Sequence, residues 1–247
     1  DLSAPGKYFD GSIDDVRIYD QALTEAQLVE VMDANTPPPP PPDDRVGHWK
    51  LDETSGTTAA DSSNESNDGT FVSSPVWQAP GLDFDGTDDY VTIGNEPVLD
   101  FGTGDFTICA WISTTVGGDI FTKGWDGVNG VRYEFNIGTT IKMELDDNSN
   151  KKRAYGTTTV NDGQWYHVAI VRDGTTLRTY TGGVPEGTLG ISAGYNLAGT
   201  SQGSAYIGVI YNNGDSLYNS FFNGVIDDVR IFDVALSEQD IDDIIAE

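Results

Sequence analysis

The sequence predicts an all-β fold, a two-sheet jelly-roll sandwich with a short helix at its C-terminal end. Short apolar runs alternate with turn-forming residues along most of the chain, which has 29 Gly among its 247 residues. Hydrophobic residues make up 37% and aromatic residues 11%, which is enough for a packed core. This combination is typical of sandwiches and barrels and argues against a helical bundle.

About a dozen strand-like runs follow one another after residue 45. In chain order they are VGHWKL, GTFV, LDFD, DYVTI, FTICAWIS, DIFTK, RYEFNI, TIKMEL, QWYHVAIVR, TLRTYTGG, SAYIGVI and FNGVIDDVRIF. Hardly any position of Tyr166–Val171 is polar, so we expect this strand to be covered on both faces. Asp173 and Gly174, directly after it, predict a hairpin to the next strand.

The end of the chain repeats its beginning without a gap. Residues 9–32 have the sequence FDGSIDDVRIYDQALTEAQLVEVM, and residues 222–245 have the sequence FNGVIDDVRIFDVALSEQDIDDII. Each copy contains IDDVRI, which is typical of a strand, followed by an amphipathic segment typical of a short helix. Thr24 and Ser237 are expected to cap these helices at their N-termini. We therefore predict the same local fold for both segments.

A proline run separates the two copies. The consecutive prolines of NTPPPPPPDD favour a polyproline II helix, which acts as a semi-rigid spacer. We predict residues 1–36 as the strand and helix that end a preceding domain, residues 37–44 as the linker, and residues 45–247 as one complete sandwich. The chain is then expected to be a piece of a tandem array. We expect residues 1–36 to dock by strand addition, on this chain or on a neighbouring one.

The formal net charge is −27, from 40 acidic and 13 basic residues. Long-range repulsion therefore argues against nucleic acid and anionic membranes as partners. Two explanations of the acidity stay open: solubility in a salty extracellular setting, and local binding of Ca²⁺ by oxygen ligands. No run approaches the roughly 20 apolar residues of a membrane span, so membrane insertion is not expected. The single cysteine, Cys109, excludes an intrachain disulfide and is expected to be buried.

Two groups of oxygen-bearing side chains are candidate Ca²⁺ ligands. The first group combines an early loop with the last strand and comprises Asp61, Asn64, Asn67, Asp227 and Asp228. Pleat alternation sends Asp227 and Asp228 to opposite faces, and a carboxylate that is buried there needs a partner. That partner is either Ca²⁺ shared with the early loop or Arg230 in a salt bridge. The second group, Asp85 and Asp88 with Asp89 in FDGTDDY, forms either a tight turn or an alternative ion site.

Five segments resemble a known family and occur in its order. They are HWKLDETSGTTAADSSNESNDGTF, GLDFDGTDDYVTI, FTICAWI, DGQWYHVAIVRDG and FNGVIDDVRIFDVALSEQDI. Over residues 46–247 the chain resembles the bacterial laminin-G-like jelly-roll family of the concanavalin A-like lectin/glucanase fold. The resemblance implies a two-sheet sandwich, and it favours the Ca²⁺ prediction because Ca²⁺-binding jelly rolls join their first and last strands. Lectins, adhesion domains and some glycan-cleaving enzymes share this fold, so function depends on the site.

Catalytic residues are not evident. Glucanases with this fold use closely spaced carboxylates on one strand. The nearest approach is Glu144, Asp146 and Asp147 in MELDDN, which runs into a turn and is expected to be a solvated hairpin end. His48 and His167 lie in strand runs, where structural roles are expected. We therefore predict a non-catalytic domain.

Aromatic loops provide a candidate glycan site, because sugars present apolar faces ringed by hydroxyls. The candidate residues are Trp125, Tyr211 and Tyr218 as platforms, with Asn129, Asn212, Asn213 and Asp215 as hydrogen-bonding partners. For Trp125 and Tyr211, ordinary loop packing is the alternative. Trp49, Trp111 and Trp165 lie within strands and are expected in the core. Acidic sugars are disfavoured by the net charge unless Ca²⁺ bridges them.

The leading functional hypothesis is a non-catalytic carbohydrate-binding or adhesion module of a large secreted or cell-surface bacterial protein, stabilised by structural Ca²⁺. Its expected partners are a polysaccharide or cell-surface glycan and the neighbouring domains of the same protein. The alternative is a structural spacer or protein–protein interaction repeat that binds no glycan. A glycan-cleaving enzyme is the third hypothesis.

Overall fold

A computed structural model describes residues 45–127, 130–198, 203–212 and 216–247. These residues belong to one unit, Asp43–Glu247. The predicted strand and helix of residues 1–36, their docking, and the proline linker lie outside the described residues. None of the described helices is long and apolar enough to cross a membrane.

The described residues form seventeen strands, one turn of 3₁₀-helix at Pro97–Leu99 and one α-helix. In chain order the strands are β1 (Arg45–Trp49), β2 (Thr58–Ala59), β3 (Gly69–Val72), β4 (Val76–Gln78), β5 (Gly81–Asp85), β6 (Tyr90–Gly94), β7 (Phe106–Gly124), β8 (Val131–Ile137), β9 (Ile141–Asp147), β10 (Lys151–Tyr155), β11 (Trp165–Asp173), β12 (Thr176–Thr181), β13 (Val184–Gly190), β14 (Ala205–Ile207), β15 (Ile210–Asn212), β16 (Leu217–Asn219) and β17 (Asn223–Phe232). The helix, α1, is Glu238–Ile245.

Two antiparallel sheets face each other. The first sheet has the order β13-β12-β11-β7-β17, with β1 and β5 both paired to the far side of β17 and β4 outside β5. The second sheet has the order β10-β9-β8-β7-β14-β6-β3-β2. Strands β15 and β16 form a separate hairpin. The opening and closing strands β1 and β17 lie side by side, as the predicted sandwich requires, with His48 opposite Arg230.

Strand β7 belongs to both sheets. Its first half pairs with β11 and β17, and its second half, from Gly118, pairs with β8 and β14. The crossing lies at Gly117 and Gly118, whose φ values are 109° and 129°. A Cβ at Gly118 would lie 2.5 Å from the Phe221 carbonyl oxygen, so a side chain has no room there. The backbone of one strand thereby holds the two sheets together.

The main core lies between the sheets and follows the pleat of the strands. On β7 the inward positions Phe106, Ile108, Ala110 and Ile112 are fully buried. Trp49 is fully buried as predicted and stacks on Phe121, with ring centroids 6.0 Å apart. Burial of these apolar surfaces supplies the main driving force for folding.

Helix α1 covers part of the outer face of the first sheet. The Ser237 hydroxyl oxygen accepts from the Asp240 backbone N–H, and the Asp240 carboxylate accepts in return, which confirms the predicted cap. Ile241 and Ile244 pack in a cluster with Cys109 and with residues of β11. Burial raises the pKa of the Cys109 thiol to about 12, so this buried cysteine behaves as an apolar residue.

The helix also explains why the central strand is apolar throughout. Residues 167–172 of β11 are buried, with the main core on one side and α1 on the other, as the sequence predicts. The expected hairpin is present: Asp173 pairs with Thr176 across Gly174. The prediction that Trp111 and Trp165 lie in the core is wrong, because both occupy outward positions of the first sheet, and Trp165 is 39% exposed.

Candidate functional site

Two of the loops predicted to bind sugar meet at the C-terminal end of β7, a central strand of the second sheet. Trp125 directly follows β7, and the next residue, Asp126, donates its backbone N–H to the Tyr211 carbonyl oxygen at 2.9 Å. Asp126 also forms an isolated bridge with Asn212. Trp125, Tyr211 and Asn212 are therefore neighbours. The predicted binding residues Asn129, Asn213 and Asp215 lie outside the described residues.

The third predicted platform, Tyr218, lies in a cluster of tyrosines on the outer face of the second sheet. Its ring centroid is 4.7 Å from that of Tyr90, 5.2 Å from that of Tyr211 and 5.6 Å from that of Tyr206. Burial raises the pKa of Tyr206 to about 12, so its hydroxyl stays protonated. Tyr211 and Tyr218 are only half-buried. Half-buried tyrosines combine an apolar ring with a hydroxyl, which suits contact with a sugar.

A network of charged side chains covers the same outer face beside the tyrosines. It comprises Asp126, Arg132, Glu134, Lys142, Glu144, Asp146, Lys151 and Arg153. At its centre, Arg132 is only 2% exposed. Its Nη1 lies 2.8 Å from Asp126 Oδ1 and 3.0 Å from Asp146 Oδ2, and its Nε lies 3.2 Å from Glu134 Oε2. Its Nη2 contacts Glu144.

Asp126 joins the aromatic and charged parts into one surface. Its carboxylate pairs with Arg132 and lies 3.3 Å from Lys151 Nζ, while its backbone binds the Tyr211 strand. We call this surface the aromatic–charged face; it consists of Trp125, Tyr211, Asn212, Tyr218 and the charged network. The side chains of Lys151 and Arg153 are each 42% exposed, so they can reach a ligand.

Two carboxylates of this face, Asp126 and Glu144, have lowered pKa values. Burial alone would raise the pKa of Glu144, but the Arg153 hydrogen bond and the charges of Arg132 and Lys142 lower it. The expectation of a solvated hairpin end is wrong here, because Glu144 and Asp146 are buried among cations. Asp147 does serve the turn, where its Oδ1 accepts from the Ser149 and Asn150 backbone N–H groups.

A proton donor for glycoside hydrolysis needs a raised pKa and access to the substrate. Glu144 stands opposite Glu134 in the strand register, but its lowered pKa does not suit proton donation. Asp119 has a strongly raised pKa, first from burial and then from the Glu134 charge. It is fully buried beside Asn136, so a substrate cannot reach it. The arrangement suits binding better than hydrolysis.

The early loop predicted to bind Ca²⁺ is organised around the Asp61 carboxylate. Its Oδ1 accepts from the backbone N–H groups of His48 and Ser63, and its Oδ2 accepts from the Ser63 hydroxyl and the Asn67 backbone N–H. A carboxylate has about four acceptor positions, and these bonds from β1 and from the loop occupy them. Asn64 is exposed, and the Asn67 carbonyl oxygen accepts from the Trp49 indole N–H.

The prediction that Asp227 and Asp228 point to opposite faces is wrong. Asp228 has a φ of 50°, and the strand register shifts between Asp227 and Arg230, so a β-bulge interrupts the pleat. Both side chains line the same pocket. Asp228 pairs with Arg230 at 2.8 Å and with His48 Nε2 at 2.7 Å. Burial would raise the pKa of Asp228, but hydrogen bonds from these two partners lower it to about 2.

The second predicted ion group forms an acidic pocket of about 470 Å³. The carboxylates of Asp85, Asp88 and Asp89 offer ligand atoms within 4.8 Å of one another, and Asp83 lines the same pocket. The turn expected as the alternative is also present, because Asp85 Oδ1 accepts from the Thr87 backbone N–H at 2.7 Å. Burial and the charges of Asp89 and Asp85 raise the pKa of Asp83.

Arg132 and Glu134 are residues of the site that the sequence interpretation did not identify. In RYEFNI they alternate with Tyr133 and Phe135, which are fully buried in the core. The same alternation continues in IKMELDD of β9. A period of two residues with charges on the outward side was therefore the available signal.

This architecture is similar to that of known proteins. The family model of the concanavalin A-like lectin/glucanases superfamily, laminin G type, matches residues 85–242. No curated protein matches the sequence. Domain 4 of AbnA, an extracellular arabinanase from Geobacillus stearothermophilus solved in complex with arabinotriose, has a TM-score of 0.60 at 16% identity. That match covers 81% of this chain and 97% of the domain.

Two toxin domains are similar to the same degree. The binding domain of botulinum neurotoxin serotype C1 has a TM-score of 0.60 at 14% identity, covering 82% of this chain and 51% of that chain. The binding domain of botulinum neurotoxin DC, solved with rat synaptotagmin II, has a TM-score of 0.60 at 16% identity, covering 83% and 51%. This chain thus spans about half the length of the toxin domains. At these identities the likeness concerns the fold, and the family match over residues 85–242 shows that the chain belongs to the laminin G family of the concanavalin A-like lectin/glucanases superfamily.

Proposed function

We propose that this domain is a non-catalytic, extracellular glycan-binding module and that its aromatic–charged face holds the ligand. The observation that carries the proposal is the bond from Asp126 to Tyr211, which places Trp125 and Tyr211 beside a charged network. Sugar rings contact aromatic faces through their C–H groups, and their hydroxyls bind charged and amide side chains. Asn212, Lys151 and Arg153 are the groups suited to that second role.

The solved neighbours support a binding role. Domain 4 of AbnA was solved with arabinotriose, and the toxin domains are named as binding domains. The net charge of −27 favours a neutral glycan over an acidic one, because long-range repulsion opposes the approach of an anion. We therefore take a neutral oligosaccharide, arabinotriose among others, as the ligand class to test first.

A glycan array followed by calorimetry on the full chain tests this function. We expect a neutral glycan to bind, and Trp125→Ala and Tyr211→Ala each to weaken binding about tenfold, or about 1.4 kcal/mol. Trp165→Ala is the matched control, because this exposed tryptophan lies on the other sheet. Unchanged affinity in both variants would contradict the proposed site.

A protein partner is the alternative, because the botulinum neurotoxin DC domain was solved with synaptotagmin II. The same array separates the two functions. If the folded chain binds no glycan on it, the domain serves as an interaction or spacer module, and the tandem organisation predicted from the repeat becomes its main property.

We propose in addition that structural Ca²⁺ binds in the acidic pocket of Asp83, Asp85, Asp88 and Asp89. Asp85 Oδ1 already accepts from the chain, but Asp88 is exposed and can turn toward an ion. Burial raises the pKa of Asp83 most, and the charges of Asp89 and Asp85 raise it further; a cation would relieve this repulsion between like charges. Oxygen ligands of this kind suit Ca²⁺.

Thermal unfolding with Ca²⁺ and with EDTA tests the ion site. At a Ca²⁺ concentration 100 times the Kd we expect about 2.7 kcal/mol of stabilisation. The double variant Asp85→Asn, Asp88→Asn should lose this gain, whereas the exposed control Asp233→Asn should keep it. If the stabilisation by Ca²⁺ survives in the double variant, the proposed pocket is contradicted. The ion then binds elsewhere, or the stabilisation does not come from a bound structural ion.

A further inference from the structure

Two adjoining pockets lie beside the hairpin of β4 and β5, on the sheet opposite the aromatic–charged face. One is on the outer face of the first sheet, and the other is at the margin between the sheets, where Trp77 pairs with the core residue Leu82. The larger has a volume of about 480 Å³ and is lined by Trp111, and the smaller has a volume of about 340 Å³ and is lined by Trp77. Asp52 and Pro80 line both pockets, so the two cavities adjoin each other. We call them together the tryptophan groove.

The fold holds Trp111 in place at the floor of this groove. In the strand register Trp111 stands between His167 of β11 and Asp227 of β17. The His167 ring is buried and meets the Trp111 ring edge-on, with centroids 5.5 Å apart and planes at 68°. Below Asp227, Gly81 leaves no room for a side chain, because its Cβ would lie 2.9 Å from the Asp227 Cβ. Trp111 is therefore flanked by His167 on one strand and by Asp227 on the other.

A chain of hydrogen bonds fixes the polar wall of the larger pocket. Arg45 Nη1 lies 2.8 Å from His48 Nδ1, and because arginine only donates, Nδ1 is the acceptor. His48 Nε2–H then donates to Asp228 at 2.7 Å, and Arg230 binds both Asp228 and Glu247. These groups present a preorganised set of hydrogen-bonding positions to the cavity.

Other polar groups of the groove remain available to a ligand. Among the described residues, neither Asp227 nor Lys50 forms an ion pair with another side chain. Burial, together with the charges of Asp228 and Asp52, raises the pKa of Asp227 to about 7, so near neutral pH this carboxyl both donates and accepts. In the smaller pocket, the Oε2 atom of Glu53 is buried and has no hydrogen-bond partner in the described part of the chain.

We propose that the tryptophan groove is a second carbohydrate site, which binds a segment of a neutral oligosaccharide with one sugar ring on Trp111 and another on Trp77. The lining excludes other ligand classes. Arg230 and Lys50 oppose a metal ion, Asp227 and Asp228 oppose an anion, and the charges oppose a purely apolar ligand. A neutral polyhydroxyl chain satisfies the polar wall and covers the aromatic faces.

Calorimetry of the full chain with cellohexaose, xylohexaose, mannohexaose and arabinohexaose tests the groove. We expect at least one of these to bind, and Trp111→Ala and Trp77→Ala each to weaken that binding at least tenfold. Trp165→Ala, an exposed tryptophan of the same sheet outside the groove, is the control and should bind as the unchanged protein does. If the tryptophan variants do not fold, Lys50→Ala replaces them as the test. Lys50 is exposed, so this change spares the core, and we expect it to weaken the same binding several-fold.

The two sites are distinguished by crossing the variants. The groove proposal is supported if hexasaccharide binding persists in Trp125→Ala and is lost in Trp111→Ala. This result holds whether or not the aromatic–charged face binds a glycan. The groove proposal is overturned if binding is lost in Trp125→Ala but is unchanged in Trp111→Ala, Trp77→Ala and Lys50→Ala. In that case the proposal for the aromatic–charged face still stands. Absence of binding by all four hexasaccharides also overturns the groove proposal.

Discussion

Replacement of Arg132 by methionine is expected to destabilise the domain by about 3–5 kcal/mol. Arg132 is 2% exposed, and the carboxylates of Asp126, Glu134, Glu144 and Asp146 all lie within ion-pair distance of its guanidinium. Methionine keeps the bulk of the side chain and removes the charge. The carboxylates would then repel one another in a buried setting, which is costly when the cation is lost.

Urea unfolding measures this loss as a lower midpoint at an unchanged slope. Arg178→Met is the matched control, because Arg178 is more exposed and pairs with one carboxylate, Asp173, at 2.7 Å. Exposed pairs contribute at most about 1 kcal/mol, so the control should stay within that range. If Arg132→Met were as stable as the control, the network would not hold the aromatic–charged face together.

Gly118→Ala is expected to cost about 4 kcal/mol or more, because it combines backbone strain with overlap of atoms. Gly118 has a φ of 129°, where residues with a side chain are strained. The new Cβ would lie 2.5 Å from the Phe221 carbonyl oxygen and closer still to the Phe222 Cα atom. Both neighbours are backbone atoms, so the strand that joins the two sheets would have to move.

Gly138→Ala provides the control for that change. No atom of the described residues lies within 4 Å of the Cβ that alanine would add at Gly138, so we expect little change in the free energy of unfolding. Thermal and urea unfolding of both variants measure the difference. A stable Gly118→Ala protein would show that β7 does not cross between the sheets as described.

The spacing of apolar residues in the sequence predicted most of the strands of the fold. The periods of two in RYEFNI and IKMEL, the apolar run of β11 and the capped closing segment each correspond to an element of the structure. Local signals were sufficient there because each strand has one face on the core, and the position of its apolar residues follows directly from that burial.

The crossing strand could not be predicted from local patterns. FTICAWIS and DIFTK were expected as two strands, because the intervening Gly117 and Gly118 ordinarily mark a turn. In the structure they belong to a single strand, β7, whose bend depends on the packing of both sheets. The bulge at Asp228 could not be predicted either, because no sequence pattern predicts a φ of 50° for a residue other than glycine.

The roles of the candidate site residues stay predictions, and the structure shows which of these residues lie together. Aromatic loops indicated Trp125 and Tyr211 as candidate platforms, and in the structure a backbone hydrogen bond brings their two loops together. Trp111 was assigned to the core because it lies within a strand run, yet it occupies an outward position of β7. In a strand that is covered on both faces, core positions and outer positions are both apolar. The sequence therefore does not distinguish them, and the tertiary structure is needed to do so.

Glycan binding by the aromatic–charged face is tested most directly by following amide and indole chemical shifts by NMR. The full chain is titrated with the neutral oligosaccharide that binds most tightly on the array. We predict saturable shifts of the Trp125 indole N–H and of the backbone amides of Asp126 and Tyr211. Saturable binding that leaves all three of these signals in place would contradict the account.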